Sequence, residues 1–131
     1  MKKFYIASSF QNKEMINHLS QILESLDYIQ TYNWTKNENA ISIEQLKSIG
    51  RQEYKGIIDS DFLIVVLPGG KGTHVELGIA LSQSKPIYLY SQDSNTFHPS
   101  HSCTFYHLPN VRIVAGEIDE LLNTLKKDFA M

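Results

Sequence analysis

The stretch Asp61-Phe-Leu-Ile-Val-Val-Leu-Pro-Gly-Gly-Lys-Gly-Thr-His-Val-Glu-Leu-Gly-Ile-Ala-Leu81 decides the fold of this chain. Its continuous apolar run over 62–67 predicts a buried β-strand, and a glycine-rich turn then leads into a helical segment that begins near Thr73. A strand, a tight turn and a helix in this order form the repeating unit of open α/β sheets. The turn is therefore expected at the carboxyl end of a central strand, where such sheets bind their ligands.

The turn itself predicts a site for an anion such as a phosphate or a carboxylate. It consists of Gly69, Gly70, Lys71, Gly72 and Thr73. Glycine lets the backbone direct successive N–H groups at one point, and the first turn of the helix adds unpaired N–H groups and the positive end of its dipole. The spacing matches neither the P-loop nor G-x-G-x-x-G, so the glycines alone do not indicate ATP or a dinucleotide, and we expect no cofactor.

One glutamate follows this turn closely enough to act on a bound molecule. Glu76 lies about one helical turn beyond the loop, so its carboxylate is expected to face the same crevice as the anion. There it could attack, or stabilise, a carbon that becomes cationic. The alternative interpretation is that a glutamate in the first turn of a helix only complements the helix dipole. The adjoining loop favours the catalytic interpretation.

The remaining segments predict an open, doubly wound parallel sheet. Further strands are expected over 4–8, 28–34, 87–90 and 111–114, and helices over 12–26, 42–58, 73–84 and 117–129. This alternation predicts about five parallel strands flanked by helices, a Rossmann-like or flavodoxin-like α/β fold that forms a single domain over residues 1–131. Trp34 ends the second expected strand, where its indole could stack on a base or pack on the protein's own surface.

The composition excludes several classes of protein. The chain has 131 residues, of which 42% are hydrophobic and 20% charged, as is typical of one globular domain. Its net charge of −2 provides no basic field, so a nucleic-acid polymer is not an expected partner. A single cysteine, Cys103, excludes an internal disulfide. The spacing of His98, His101 and His107 matches no helical metal motif, and we expect no metal.

The sequence also predicts where the protein resides. It contains no apolar run of the roughly 20 residues that a membrane span requires, so we expect no association with a membrane. The first apolar run is short and ends at Ser8 and Ser9, which indicates a β-strand and not a signal peptide. We therefore expect a cytoplasmic protein.

The chain resembles two related families of enzymes. Pro68-Gly-Gly-Lys-Gly-Thr-His-Val-Glu76 resembles the P-G-G-x-G-T-x-x-E motif of the cytokinin-activating phosphoribohydrolases, which cleave the base from nucleoside monophosphates. Glu76-Leu-Gly-Ile-Ala-Leu81, read with Phe4-Tyr-Ile-Ala-Ser-Ser-Phe10 and Ser60-Asp61, resembles the nucleoside 2-deoxyribosyltransferase family and its nucleotide-hydrolase relatives. The second resemblance covers most of the chain and carries more weight. Both imply an open α/β sheet and the cleavage or exchange of an N-glycosidic bond.

The deoxyribosyltransferase resemblance implies roles for individual side chains. Glu76 corresponds to the nucleophilic glutamate of that family, and Tyr5 to the tyrosine that hydrogen-bonds and orients it. A homodimer or a larger homo-oligomer is implied as well. Asp61 matches a shared Ser-Asp pair, but it lies at the head of its strand, away from the expected site, so we interpret it as structural.

The sequence departs from the deoxyribosyltransferases at a residue that helps to protonate the leaving base. These enzymes have an aspartate six positions before the glutamate, where this chain has Gly70. A loop with Lys71 and without a carboxylate favours a 5′-phosphate over a free nucleoside, because a carboxylate would repel the anion. Ser8 and Ser9 could add hydroxyl donors to the same phosphate or sugar.

Two functions remain open from the sequence. The first is cleavage, or base exchange, at the N-glycosidic bond of a nucleoside or nucleoside 5′-monophosphate through Glu76. The second is a non-catalytic module of the same fold that binds a nucleotide or nucleotide-sugar without turnover, a possibility that the missing leaving-group acid supports. In both cases the expected partner is a small nucleoside or nucleotide.

Overall fold

The computed structural model describes residues 2–129 and contains one five-stranded parallel sheet with helices on both faces. The strands are β1 (Lys3–Ala7), β2 (Ile29–Gln30), β3 (Phe62–Val66), β4 (Ile87–Ser91) and β5 (Val111–Ala115). The α-helices are α1 (Lys13–Ser25), α2 (Ile43–Asp59), α3 (Lys71–Ser82) and α4 (Ile118–Phe129). The strand order β2-β1-β3-β4-β5 confirms the doubly wound α/β sheet that the sequence predicts.

The centre of the sheet forms the core. Every residue of β3 and β4 is buried, as expected of strands covered by helices on both faces. The register pairs Tyr5 with Leu63 and Leu63 with Ile87, so these three side chains share one face of the sheet. The opposite face carries Phe62, whose ring centroid lies 4.7 Å from that of Phe129 in α4. Tyr5 therefore belongs to the face opposite α4.

The switch point of the sheet lies between β1 and β3. From β1 the chain crosses to β2 on one side, whereas from β3 it crosses to β4 on the other. In open α/β sheets a crevice forms at such a point, outside the carboxyl ends of the two strands. The loops after Ala7 and after Val66 border this crevice and contain Ser8, Ser9, Gly69 and Gly70 of the predicted site, whereas the predicted residues from Lys71 to Glu76 belong to α3.

The second strand is much shorter than the sequence predicts. Only Ile29 and Gln30 pair with β1, and the segment that follows turns into a short 3₁₀ turn at Trp34–Lys36. The indole Nε1 of Trp34 donates a hydrogen bond of 2.6 Å to the carbonyl of Ile6, and the side chain is buried. Base stacking by Trp34 is therefore not supported, because the ring is part of the core.

Two further features complete the comparison with the predicted elements. The backbone N–H of Lys3 donates to the carboxylate of Asp61 over 2.8 Å, at the amino end of β3, so Asp61 has the structural role expected of it. On α2, Ile43 and Leu46 continue the apolar pattern of the helix but are 65% and 57% exposed.

Across residues 2–129, none of the helices combines the length and the apolar content needed to cross a bilayer.

Candidate active site

Side-chain hydrogen bonds hold together the two loops that border the crevice. Ser8 Oγ donates to the carbonyl of Val66 over 2.7 Å, and Ser9 Oγ donates to the carbonyl of Pro68 over 3.2 Å. Asn12 Nδ2 donates to Ser8 Oγ over 2.9 Å and to the Pro68 carbonyl over 3.0 Å. Both serine protons are engaged with the backbone here, so the predicted role of Ser8 and Ser9 as phosphate donors stays a prediction.

The glycine-rich loop ends two residues earlier than the sequence predicts. The N–H of Gly70 donates to Thr73 Oγ1 over 3.2 Å, which closes the first turn and starts α3 at Lys71 instead of near Thr73. A Cβ at Gly69 would lie 2.5 Å from Thr73 Cγ2, so only glycine allows this approach. The first N–H groups of α3 point out of the helix toward the end of the loop, where an anion can accept them.

Lys71 and Gly72 belong to the first turn of the helix, and both are exposed. Lys71 lines a groove on the outer side of α3, together with Val75 and Leu81. Its ammonium group thus adds positive charge near the helix N-terminus from outside the crevice. Direct contact of Lys71 with a bound phosphate stays a prediction.

Glu76 and Tyr5 meet in the interior of the crevice. Tyr5 is fully buried in β1, Glu76 in α3 is 7% exposed, and the Tyr5 hydroxyl donates a short hydrogen bond to Glu76 Oε2. The two residues are 71 positions apart in the chain, so the sheet register and the start of α3 together create the contact. The pair that the sequence predicts by resemblance is therefore brought together, about one helical turn from the N-terminus of α3.

The surroundings of this pair favour its protonated forms. Burial raises the pKa of the Glu76 carboxyl to about 8, the hydrogen bond from Tyr5 acts in the opposite direction, and the charge of Glu53 raises the pKa further. Burial, with the adjacent Glu76 charge, raises the pKa of Tyr5 far above its ordinary value. Tyr5 therefore keeps its proton and acts as a fixed donor to Glu76.

Glu53 is a site residue that sequence reasoning overlooks. It lies on the inward side of α2 and is half-buried, and burial raises the pKa of its carboxyl. Its charge raises the pKa of both Tyr5 and Glu76, and it lies three residues before Gly56, which packs against the Tyr5 ring. A local signal exists, because Ile49, Glu53, Gly56 and Ile57 have the spacing of one helical face, on which a carboxylate is out of place.

Gly56 allows α2 to approach Tyr5. A Cβ at this position would lie 2.9 Å from Tyr32 Cβ and 3.1 Å from the Tyr5 ring. We expect Gly56→Ala to displace the ring and to lower the free energy of unfolding by about 1–3 kcal/mol, measured by urea denaturation. Gly50→Ala, on the same helix with nothing within 4 Å, is the matched control and should stabilise by up to about 1 kcal/mol. A Gly56→Ala protein as stable as Gly50→Ala would contradict this close packing.

His74 connects the loop to the polar segment between β4 and β5. Its Nδ1 lies 2.8 Å from the Gly70 carbonyl and its Nε2 lies 2.7 Å from the Tyr106 hydroxyl. Because a carbonyl can only accept, Nδ1 carries the proton and Nε2 accepts from Tyr106. Asn110, in the same segment, donates to the Lys85 carbonyl over 3.0 Å. Tyr106 and Asn110 thus have partners within the chain.

Two of the three histidines of this segment form local side-chain hydrogen bonds. His98 Nδ1 pairs with Ser100 Oγ, and His107 Nε2 pairs with Ser102 Oγ, each over 2.7 Å. Between residues 2 and 129, no group of three or more His, Cys, Asp or Glu side chains has the arrangement of a metal site.

Comparison with known proteins shows the family to which the chain belongs. The model of the nucleoside 2-deoxyribosyltransferase family matches residues 4–125. The chain belongs to the nucleoside 2-deoxyribosyltransferase family. Its fold is also that of the CMP N-glycosidase BcmB of Clostridium botulinum, with a TM-score of 0.68 and 22% sequence identity over 95% of this chain and 99% of that one. A search of curated protein sequences finds no significant match. Membership in the deoxyribosyltransferase family confirms the resemblance on which the sequence interpretation depends.

Proposed function

We propose that this member of the family cleaves the N-glycosidic bond of a nucleoside 5′-monophosphate, with Glu76 as the nucleophile. The observation that carries the proposal is the buried contact between the Tyr5 hydroxyl and Glu76 Oε2, beside the N-terminus of α3. A carboxylate held in a water-poor crevice, next to N–H groups for a phosphate, has the arrangement that displacement at a sugar carbon requires. The CMP N-glycosidase of similar fold supports a nucleotide as the substrate class.

The chemistry proceeds in two displacements. An oxygen of ionised Glu76 bonds to C1′ while the C1′–N bond breaks, and the bonding pair leaves with the base. Water then attacks C1′ and loses a proton, which releases the sugar phosphate and restores the Glu76 carboxylate. Transfer to a second base instead of water would give base exchange, the alternative activity. Tyr5 orients the reacting carboxylate and lowers the pKa of Glu76 through its hydrogen bond.

Glu53 is our candidate for the acid that protonates the leaving base. The loop position of the deoxyribosyltransferase aspartate is Gly70, which has no side chain to give a proton. Glu53 lies on α2, three residues before the glycine that packs against the Tyr5 ring, and burial raises the pKa of its carboxyl, which favours the protonated form that an acid catalyst needs. After the first displacement the same group, now ionised, can accept the proton of the attacking water.

The loop supports a phosphate at the other end of the substrate. Gly69 and the first turn of α3 offer backbone N–H groups and the positive end of a twelve-residue helix, while the N–H of Gly70 is engaged by Thr73 Oγ1. A free nucleoside has no anion for these groups. The phosphate would therefore fix the sugar with C1′ toward Glu76, in the manner of a remote binding group that positions a reacting carbon.

We also propose that the protein forms a homo-oligomer, as the family resemblance implies. Ile43 and Leu46 on α2 and Val75 on α3 are each more than half exposed. The two helices are neighbours on one face of the sheet, so these apolar side chains lie on a surface suited to a second copy of the chain. Sedimentation of the purified protein tests this assembly.

The first experiment measures free base by chromatography after incubation with ribo- and deoxyribonucleosides and their 5′-monophosphates. We expect release from at least one monophosphate, and Tyr5→Phe should lower kcat by roughly 10- to 100-fold, because Glu76 loses its orienting donor. The hydrogen bond from Tyr5 lowers the Glu76 pKa, so its loss should raise that pKa. The rate of the variant should therefore increase at a higher pH than the rate of the wild type.

Tyr54→Phe is the matched control for this variant. Tyr54 lies on α2 and is 53% exposed, so its substitution should leave the rate unchanged. Binding of a nucleotide without release of base from any member of the panel would favour the non-catalytic module. A Tyr5→Phe enzyme with the wild-type rate and pH profile would contradict the role given to Tyr5.

A further inference from the structure

A cavity of about 460 Å³ opens beside the glycine-rich loop, at the carboxyl ends of β3 and β4. Pro68 and Gly69 form one wall, Asn12 another, and Gln92, Asp93 and Tyr106 contribute from the segment after β4. The volume lies within the range of about 300–1,000 Å³ that is usual for small-molecule sites. The described residues that line it do not include Tyr5 or Glu76.

The cavity and the reacting pair contact different sides of helix α3. His74 lines the cavity, whereas Glu76, two residues further along, is rotated by about 200° around the helix axis and contacts Tyr5. A reacting sugar carbon must lie within about 3–3.5 Å of the Glu76 carboxylate. Because Glu76 does not line the cavity, the cavity is open to a part of the ligand other than the glycosidic carbon, and Gly69 of the glycine-rich loop borders it.

The lining of the cavity selects a neutral, hydroxyl-rich group. Gln92 offers an amide and Asp93 a carboxylate, whose Oδ1 is held by the N–H of Asn95 over 2.9 Å. Of the described lining residues none is Lys or Arg, and a carboxylate repels a second anion but accepts hydrogen bonds from hydroxyl groups. The rings of Tyr90 and Tyr106 add apolar surface on which the C–H faces of a sugar can pack.

We propose that the ligand of this site is a nucleoside 5′-diphosphate sugar, whose sugar occupies the cavity while its nucleoside lies at Glu76. The inference rests on the function proposed above and names its substrate class. The α-phosphate lies at the N-terminus of α3, the diphosphate passes along Pro68 and Gly69, and the terminal sugar contacts Gln92 and Asp93. Cleavage of C1′–N then releases the base and leaves a ribose joined through its diphosphate to the second sugar.

The test measures affinity by calorimetry on the Glu76→Gln protein, so that turnover does not interfere. The probes are pairs with the same base: UMP with UDP-glucose, CMP with CDP-glucose, GMP with GDP-mannose, and AMP with ADP-ribose. We expect the sugar-bearing member of at least one pair to bind about tenfold more tightly or better, from the added hydrogen bonds. Asp93→Ala and Gln92→Ala, each added to Glu76→Gln, should reduce this advantage to less than about threefold.

Asp93 also accepts a hydrogen bond from the N–H of Asn95 and so stabilises the turn that follows, and Asp93→Ala could unfold that turn. Gln92→Ala is therefore included as a second cavity substitution. Gln83→Ala, at the exposed end of α3, is the control that should retain the advantage. Equal affinity within every pair, or an advantage that survives both cavity substitutions, would overturn the inference. Base release by the wild-type protein is measured in parallel. Tighter binding of the sugar-bearing member without release would contradict only the proposed cleavage, whereas release with equal affinities would contradict only the cavity's role.

Discussion

Glu76→Gln should abolish base release, lowering kcat by at least about a thousandfold, because the amide can neither bond to C1′ nor stabilise its positive charge. The substitution preserves the shape of the side chain, and the amide oxygen can still accept the hydrogen bond of the Tyr5 hydroxyl. The loss should therefore occur in the chemical step and not in the fold. Chromatographic release of base from the best nucleotide of the panel measures it.

The control for this prediction is Glu14→Gln, an exposed glutamate in the first turn of α1 that should keep the wild-type rate. A second readout separates a nucleophile from a carboxylate that only stabilises charge. Mass spectrometry of the wild-type protein quenched during turnover should find the sugar phosphate attached to the peptide that contains Glu76. Base release by Glu76→Gln at a rate near that of the wild type would remove Glu76 from the mechanism.

The pH profile of the wild-type enzyme should report the same group. Because burial raises the Glu76 pKa to about 8, most of the carboxyl is protonated at neutral pH in the absence of substrate. The nucleophile must be ionised, so kcat/KM should increase as the pH rises toward the pKa of Glu76. In Tyr5→Phe the increase should shift to higher pH, as argued above.

The strand, turn and helix around the site could be predicted because their signals are local. The apolar run Phe62–Val66 and the glycines after it indicate a buried strand and a tight turn without any knowledge of the rest of the chain. Glu76 follows from its position after that turn. Its contact with Tyr5 does not, since it joins residues 71 positions apart and depends on the sheet register. Family resemblance supplied that pairing.

Long-range contacts also explain where the sequence predictions were wrong. The apolar and β-branched residues over 28–34 predict a strand. The hydrogen bond from the Trp34 indole to the Ile6 carbonyl instead holds this segment against the end of β1. Asn33 then caps a short 3₁₀ turn, its side chain accepting from the N–H of Thr35 over 3.0 Å. Glu53 was overlooked for a similar reason. A glutamate on a helix is usually solvated, and only the packing of α2 on β1 partly buries Glu53 near Tyr5.

The second large effect concerns stability, and its sign follows from the pKa of Glu76. Folding raises that pKa from 4.5 to about 8, so the native state holds a proton that the unfolded state releases at lower pH. The stability from this proton is complete below about pH 4.5 and is lost as the pH rises through about 8. Glutamine at position 76 has no charge to bury, so the Glu76→Gln protein does not lose this stability as the pH rises. It should therefore be more stable than the wild type at pH 9 by a few kcal/mol, roughly 3–5.

Urea denaturation of both proteins between pH 4 and pH 9 measures this difference in the free energy of unfolding. The difference should be smallest at pH 4, grow mainly between about pH 5 and 8, and then remain constant, because outside this window both states bind the same number of protons at Glu76. Glu14→Gln, which changes an exposed carboxylate, should show almost no growth over the same range. If the difference in the free energy of unfolding between Glu76→Gln and the wild type did not change with pH, folding would not raise the pKa of Glu76, and this prediction would be wrong. The same burial that destabilises the ionised fold also removes water from the nucleophile, so the variant that gains stability should be the one that loses turnover.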